Sequence, residues 1–573
     1  MKKIILLILI FTGGISYAQM DNIPIANPVY DYLKNMNIKG YIGPINDQDL
    51  PLARNKVIGF LNEIDSYSKT TEGINNPMSS VEKELLNKYY IQFDASKRNK
   101  QNTTDFLNED SFSESVNGIF SDKQKFFLRY KGKSGNFSME LLNRDQYINT
   151  LAPETKSNAK ILGFGGKIFG TIFDHLGYNL TVEAGLIGGN PDVAAAVEPW
   201  LRYNYKFVEG VEEIRSYSLT QGYLRYQTKP TEDITFSAFI GRDKIKTGFG
   251  YDQSLIISGN GPDLDMIKFN IDWGILKFVS YTGATVGPFN QDRLKNYTKY
   301  VATNMFVFSL PKLFDLGVGE QQVYSGRGVD IAYLTPIGFY KFLEHDLQDR
   351  DNGTFYFLFQ SNFLKNLQFN GTFYMDENFF GQLGNMSAGQ NKTAYQVGLM
   401  TYEPAGIKNL ALKFSYTKLR PFVYSHVNPE NSITGFGTIL GSNIGPNADR
   451  IFINANYSFT SRVNLNLSYS FARKGNNYTD NQGNFINVGG DVNLPYNRTL
   501  DGEDKPFLAG ERVNTGIFSA NLKVEPLRDY VFDFGYILRN VENVTKNTSS
   551  KQSYGFVRLY ISCLLYTSPS PRD

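Results

Sequence analysis

The sequence predicts a mainly β protein: a transmembrane antiparallel β-barrel of about 18 strands, preceded by a small α-helical periplasmic domain. Three observations lead there. The N-terminus reads as an export signal, and no later apolar run is long enough for a membrane helix. Across most of the chain, strand-length segments alternate strictly between apolar and polar residues.

The first element is "MKKIILLILIFTGGISYAQ", with a basic front (Lys2, Lys3), an apolar run from Ile4 to Phe11 and the small-residue site Ser16-Tyr17-Ala18. That is the layout of a secretory signal peptide, residues 1–18, cut after Ala18. Its apolar run falls well short of the ~20 residues a membrane helix needs. No Cys near the cleavage site offers a lipid attachment point.

Residues 19–105 read as helical. In "NPVYDYLKNMNIKGYI", Asn27 is set to cap, Pro28 opens the helix, and Tyr30, Leu33 and Met36 share a face. "LPLARNKVIGFLNEID" continues with Val57, Leu61 and Ile64. "SSVEKELLNKYYIQF" opens on a capping box, Ser79 to Glu82, and sets Val81, Leu85, Tyr89 and Phe93 four apart. Preceding the first strand, this domain is expected in the periplasm, its apolar faces buried against each other.

Residues 106–562 carry the barrel pattern. In "RVNLNLSYSFARK", Val463, Leu465, Leu467, Tyr469 and Phe471 oppose Asn464, Asn466, Ser468 and Ser470. In "NLQFNGTFYMD", Leu367, Phe369, Phe373 and Met375 oppose Gln368, Asn370 and Thr372. "IFINANYSF" and "IFSANLKVEP" alternate likewise, the second with Lys523 and Glu525 on its polar face. Stacked soluble sandwiches alternate too. Here, though, the polar face is small or Asn/Ser/Thr-like, and the apolar face often starts or ends in an aromatic. That suits a wet lumen, a lipid-facing wall and aromatic girdles. The longest irregular stretch, about 475–515, is expected on the outside of the cell.

Composition narrows the function. Lys+Arg (58) and Asp+Glu (56) nearly balance, so nothing marks a nucleic-acid partner. A single Cys, Cys563, excludes a disulfide framework. The Gly-rich stretch "GRDKIKTGFGYDQSLIISGNGPDLDMIKFNI" (241–271) invites comparison with a phosphate loop. Such a loop needs a helix after its glycines, and here a strand hairpin follows; its glycines serve turns and strand ends. The three histidines, His175, His345 and His426, are far apart, with no zinc motif. Ser425 and His426 are neighbours that a strand would point to opposite faces. No catalysis, cofactor or metal is expected.

Four stretches in this order, behind an export signal and within a barrel pattern, resemble the Wzi-type capsule assembly proteins. They are the first two helical segments, the 241–271 stretch, "GVGEQQVYSGR", and "YLTPIGFYKFLEHDLQDRDNGTFYFLFQSNFLKNLQFNGTFYMDE". The resemblance implies an outer-membrane, lectin-like, non-catalytic protein that attaches capsular polysaccharide to the cell surface, in contact with outer-membrane lipid. It leaves room for export machinery to meet the helical domain. The barrel pattern alone equally suits a porin or substrate-specific channel.

Within those stretches, Arg242, Lys244, Glu320, Arg327, Glu344, Asp346 and Asp351 either line a sugar path or form a lumen network bracing the barrel. Buried charges mostly find each other, which favours the network. Carbohydrate contact more naturally uses exposed aromatics, amides and carboxylates: Tyr251, Asn260, Tyr478, Asn484 and Tyr496, alongside Arg242 and Lys244. Residues 475–515 are more acidic (Asp480, Asp491, Asp501, Glu503, Asp504, Glu511) than basic (Arg498, Lys505, Arg512), which argues against a simple ionic grip on an acidic capsule. At the far end, "SYGFVRLYIS" begins as a closing strand. "CLLYTSPSPRD" then breaks the pattern, so residues 563–573 are expected to be a non-native tail.

Overall fold

The computed structural model describes residues 19–561 apart from 154–156, 210–214, 377–391, 498–500 and 502–504. The expected signal peptide and the tail lie outside the described residues.

Eighteen long strands, each antiparallel to the next, make a closed barrel, with β18 paired to β1. They begin with β1 (Gly135–Ala152), β2 (Asn158–Ile172), β3 (Leu176–Gly189), β4 (Arg215–Thr228), β5 (Ile234–Asp243) and β6 (Leu264–Trp273). Next come β7 (Leu276–Val286), β8 (Thr298–Leu310), β9 (Phe314–Ser325), β10 (Asn352–Ser361), β11 (Leu367–Asp376) and β12 (Lys392–Tyr402). The last six are β13 (Leu410–Leu419), β14 (Ala448–Thr460), β15 (Val463–Asn476), β16 (Glu511–Leu527), β17 (Tyr530–Asn543) and β18 (Thr548–Ile561). A short stub, Leu128–Lys131, extends the ladder on β1 below the β18 seam.

The alternation seen in the sequence is the alternation of the wall. On β15 Tyr469 is exposed while Ser468 and Ser470 are buried. Inside, Asn454 donates to Asn466 (3.1 Å) and Asn464 to Asn456 (2.9 Å), so facing amides satisfy one another across β14 and β15. Turns at one end are as short as Gly274-Ile275 and Ser461-Arg462. The opposite end carries the long connections 190–214, 244–263, 326–351, 420–447 and 477–510.

The helical domain holds α1 (Val29–Lys39), α2 (Arg54–Ser68), α3 (Thr71–Asn75) and α4 (Ser80–Phe93), and α5 (Phe112–Ile119) follows ahead of the barrel. Pro28 and not Asn27 holds the cap position of α1; the Asn27 side chain, one residue earlier, accepts from the Val29 N–H at 3.0 Å. Gly40, at φ +86°, ends it in the left-handed conformation that glycine adopts without strain. The Ser79/Glu82 capping box is complete. Val57, Leu61 and Ile64 of α2 and Leu33 and Met36 of α1 form one core with Tyr89 and Phe93 of α4; full burial of such a side chain contributes roughly 1.5–3 kcal/mol.

That core does not stop at the domain. Met400 and Tyr402 of β12 and Ala411 of β13 belong to it. Polar contacts run to strands all round the barrel: Lys268 of β6 pairs with Asp49, Gln368 of β11 donates to Asn37 at 3.2 Å, and Lys88 pairs with Glu525 of β16. The domain is therefore a plug seated in the short-turn mouth. Its α2–α3 side, with Glu63, Lys69 and Ile74 exposed, looks away from the barrel.

Candidate functional site

The site is built where the wall drops from β4 to β5. β5 and β6 are ten residues each, against fourteen for β4. β4 pairs with β5 only from Gly222 on, so Arg215–Gln221 have no strand partner on that side. Above the gap, α7 (Tyr205–Glu209), which follows α6 (Pro191–Val197) in the β3–β4 connection, reaches the β7–β8 connection. Arg293 donates to the Tyr205 hydroxyl at 2.9 Å, and the Tyr205 and Phe289 rings meet edge-on at 5.2 Å. The result is a framed opening in the upper wall.

The chain that would have lengthened β5 and β6 turns inward instead. Residues 244–263 descend into the lumen, and Lys246–Thr247 pair as a two-residue ladder with Asp49–Leu50 of the plug. Gly248, at φ +95°, donates to the Gln48 carbonyl at 2.8 Å. Ile245, Phe249, Leu255 and Ile256 pack with Val423, Tyr424, Ile433 and Leu440 of the 420–447 connection, filling the lumen on the β7–β13 side with an apolar core. The glycine-rich stretch is thus a lumen-filling loop followed by the strands β6 and β7, the hairpin the sequence predicts.

A cavity of about 600 Å³ remains on the other side. Its floor is α1 (Tyr30, Asp31, Lys34) with Pro24–Asn27 and Asp47. Its wall comes from Arg144, Glu183, Ser218–Gln221, Asp243 and Asp265, and the inward loop and the 199–204 segment close it. Most charges are already matched: Lys34 with Asp47 (2.6 Å), Lys413 with Asp31 (2.7 Å), Arg144 with Glu183 (3.0 Å) and Arg242 with Asp265 through two 2.6 Å hydrogen bonds. Lys244 has no ion-pair partner among the described residues. Burial pushes the Lys246 ammonium down to about 8; Asp47 nearby works against that. Burial likewise raises the Tyr251 phenol, whose hydroxyl donates to Gln368 Oε1 at 3.0 Å. The cavity thus offers amides, mostly paired carboxylates, two ammonium groups without an ion pair among the described residues (Lys244 and Lys246) and aromatic edges, a donor and acceptor set that matches vicinal hydroxyls better than a single strong charge.

Of the sequence-predicted residues, Arg242, Lys244, Tyr251 and Asn260 line this cavity. Tyr478 and Asn484 do not; they belong to a small exposed hairpin (Tyr478–Thr479 with Phe485–Ile486), where Asn484 is tied to Asp480. Tyr496, expected to be exposed, is 2% exposed: its ring sits 4.5 Å from Phe422 with the Lys392 ammonium 4.8 Å above it. Trp200, Tyr203 and Asn204 line the cavity and were not singled out. The run "EPWLRYNY", aromatic-rich between two strands, is the signal that could have found them. Trp200 is held by its Nε1 donating to Glu198 at 2.6 Å and by Arg144 5.0 Å over its ring.

The charges expected in the lumen need a correction. Glu320, Arg327, Glu344 and Asp351 do find partners, but on the outer face of the wall. Arg327 holds Asp351 (2.6 and 2.8 Å) and Asp330 (3.2 Å), Tyr333 donates to Asp351 (2.8 Å), and Lys341 pairs with Glu344 (2.7 Å). Asp346 is exposed. Strand parity places Glu320 and Gln322 outward, where the 326–351 connection covers them, so polarity alone misassigns them. Ser425 and His426 also depart from expectation, lying in the 420–447 connection and not on a strand; Ser425 is buried and His426 Nδ1 accepts from the Asn428 N–H at 3.1 Å.

Fold and site together define an outer-membrane β-barrel whose lumen is occupied from one end by an N-terminal helical plug and from the other by inward loops. The chain belongs to the capsule assembly protein Wzi family, whose model matches residues 116–553. Among solved structures it is similar to Wzi of Escherichia coli, described as an outer-membrane protein involved in group 1 capsule assembly and a carbohydrate-binding β-barrel. The two share 10% identity and a TM-score of 0.52 over 94% of this chain and 98% of that one. OprD of Pseudomonas aeruginosa is a more distant likeness: 11% identity, TM-score 0.41, 75% of this chain and 96% of that one. No curated protein sequence matches this chain.

Proposed function

We propose that this protein attaches capsular or another surface polysaccharide to the outer membrane, lectin-like and without chemical change to the polymer. The observation that carries this reading is the cavity under the framed opening. Most of its charges are spent on one another, its amides and aromatics converge, and it lies within reach of a chain entering from outside. Membership of the capsule assembly family and the carbohydrate binding described for the Escherichia coli relative support it. A neutral or weakly acidic glycan suits this lining, since among the described lining cations only Lys244 and Lys246 are left to meet an anion. The exposed α2–α3 side of the plug is the surface that export machinery would meet.

The test is capsule partitioning in a strain lacking the gene, complemented with the wild-type chain or with Lys244→Ala/Tyr251→Ala. Loss of the protein should leave total polysaccharide unchanged and shift most of it into the medium. The double variant should restore membrane insertion but only part of the attachment. Full attachment without the protein would remove this reading and favour a channel. Single-channel recording discriminates further: a barrel filled by Phe249, Ile256, Tyr424 and Leu440 on one side and the plug below should be nearly silent.

A further inference from the structure

We propose that residues 326–351, the β9–β10 connection, form a lipid-contact element that lies on the outer wall of the barrel and sinks its apolar edge into the outer leaflet. Which face it covers follows from strand parity. Lys299, Gln321 and Tyr281 point into the lumen, where they meet Ser432, Tyr374 and Thr247. Their alternates point outward and carry the connection: Thr282 donates to the Tyr333 carbonyl (2.7 Å), Asn304 to the Gly338 carbonyl (2.8 Å), and Gln322 to Glu344 (3.1 Å). Glu320 accepts from the Lys341 N–H at 2.9 Å. Tyr333 and Tyr340 are buried against Ala302 and Tyr324 of the same outer face.

Below this cover the outward residues are apolar and exposed: Phe306, Leu316, Val318 and Phe357. On β9 that strip ends at Val318, two residues before Glu320. At ~3.3 Å per residue, Phe314 to Val318 spans only about 13 Å, half of the ~25 Å apolar band such barrels present. On β2 the outward strip runs from Leu162 to Ile172 without such a break. The missing upper half is supplied by the connection itself. Val329, Ile331, Ile337, Phe339 and Phe342 turn away from the wall and are 51–79% exposed. Phe339 and Phe342 sit edge-on 6.1 Å apart, ahead of and within α8 (Tyr340–Asp346). An apolar patch of this kind marks an interaction surface. Its continuity with the lipid-facing strip below commits it to lipid. The same element shields Glu320, Gln322 and Asn304, which uncovered would meet hydrocarbon.

The experiment uses the full chain in liposomes containing phospholipid brominated on its acyl chains. The background is Trp273→Phe, because the native Trp273 is itself exposed on the wall. Phe339→Trp and Phe342→Trp should be quenched strongly and emit further to the blue than Phe485→Trp, an exposed aromatic of the 477–510 connection. Quenching at 339 and 342 no greater than at 485 would overturn the proposal. So would the other occupant of such a patch, a second copy of the chain: a dimer by mass in detergent that Phe339→Glu/Phe342→Glu converts to monomer, with no lipid quenching.

Discussion

The N-terminal plug and the 326–351 connection are both short helices laid against barrel strands, each pinned by an ion pair and buried tyrosines, yet they spend their apolar side chains differently. In the plug, Lys39, Glu82 and Tyr402 make the pin: the ammonium lies 2.8 Å from the carboxylate, which also accepts from the Tyr402 hydroxyl at 2.8 Å. Over residues 19–105, Ile74 is the one large apolar side chain left exposed among the described residues. In the outer connection the pin is Arg327, Asp351 and Tyr333, and five large apolar side chains are left outside. A segment bounded by protein and water hides such groups, whereas one bounded by protein and lipid has a use for them. The same chemistry of attachment therefore serves two solvents, and only the unattached face tells them apart.

The comparison breaks first at Glu82. Its carboxylate completes the capping box of α4, neutralises Lys39 and accepts from Tyr402, and it is 1% exposed. Glu82→Ala leaves the Tyr402 hydroxyl without its acceptor and the buried Lys39 ammonium with only Glu403, 3.3 Å away, and is expected to destabilise plug docking by about 3 kcal/mol. Hydrogen exchange should show α1 and α4 losing protection while β14–β18 keep theirs; unchanged exchange in α1 would mean the pair does not hold the plug. The outer pin is partly open to solvent on its arginine side, 21% exposed, so Asp351→Ala should cost less, about 2 kcal/mol. Its readout is limited trypsin cleavage at Arg327, Lys341 or Arg350 with the barrel intact. Asp351→Asn, which keeps an acceptor for Tyr333, should be cleaved more slowly. If both variants resist cleavage, the connection is held by its tyrosines alone.

How far these arrangements could be read from the sequence depends on the range of the cause. Strand alternation is written locally, so β11 and β15 were legible residue by residue. So was the Ser79/Glu82 box, whose partners are three residues apart. The cavity position of Lys244, Tyr251 and Asn260 was partly legible because their glycine-rich stretch could not be a regular strand throughout; Arg242, on the outward face of β5 beside Asp265, meets the cavity only at its edge. The destination of Glu320 and Gln322 was not: they share a face with Leu316 and Val318, and only a cover folded back from residues 326–351 makes that face acceptable. Tyr496 failed for a similar reason, since a loop position says nothing of Phe422 and Lys392 closing over the ring. Trp200 was missed because its value lies in Arg144 and Glu198, one of them 56 residues away.

The smallest effect concerns the link between the two regions. Residues 124–126 lead from the helical part into the barrel and are tied to the β16–β17 turn by Asp529, which accepts from the Lys125 N–H at 2.8 Å and from the Gln124 amide at 3.1 Å. Burial pushes this carboxyl up to about 7; Glu525 and Glu140 add to the rise, and the Lys125 N–H and ammonium oppose it. A carboxyl whose folded value lies above its unfolded value of about 4 binds its proton more tightly when folded. Its contribution is complete below about 4 and disappears as pH rises through 7, the reverse of the usual acid lability of a paired carboxylate. Amide exchange at residues 122–127, corrected for intrinsic rate, should therefore show more frequent opening at pH 8 than at pH 5. In Asp529→Asn that difference should vanish, because the amide keeps an acceptor for Lys125 and carries no proton to lose. A difference that survives in Asp529→Asn would show that this carboxyl is not the source of the pH response.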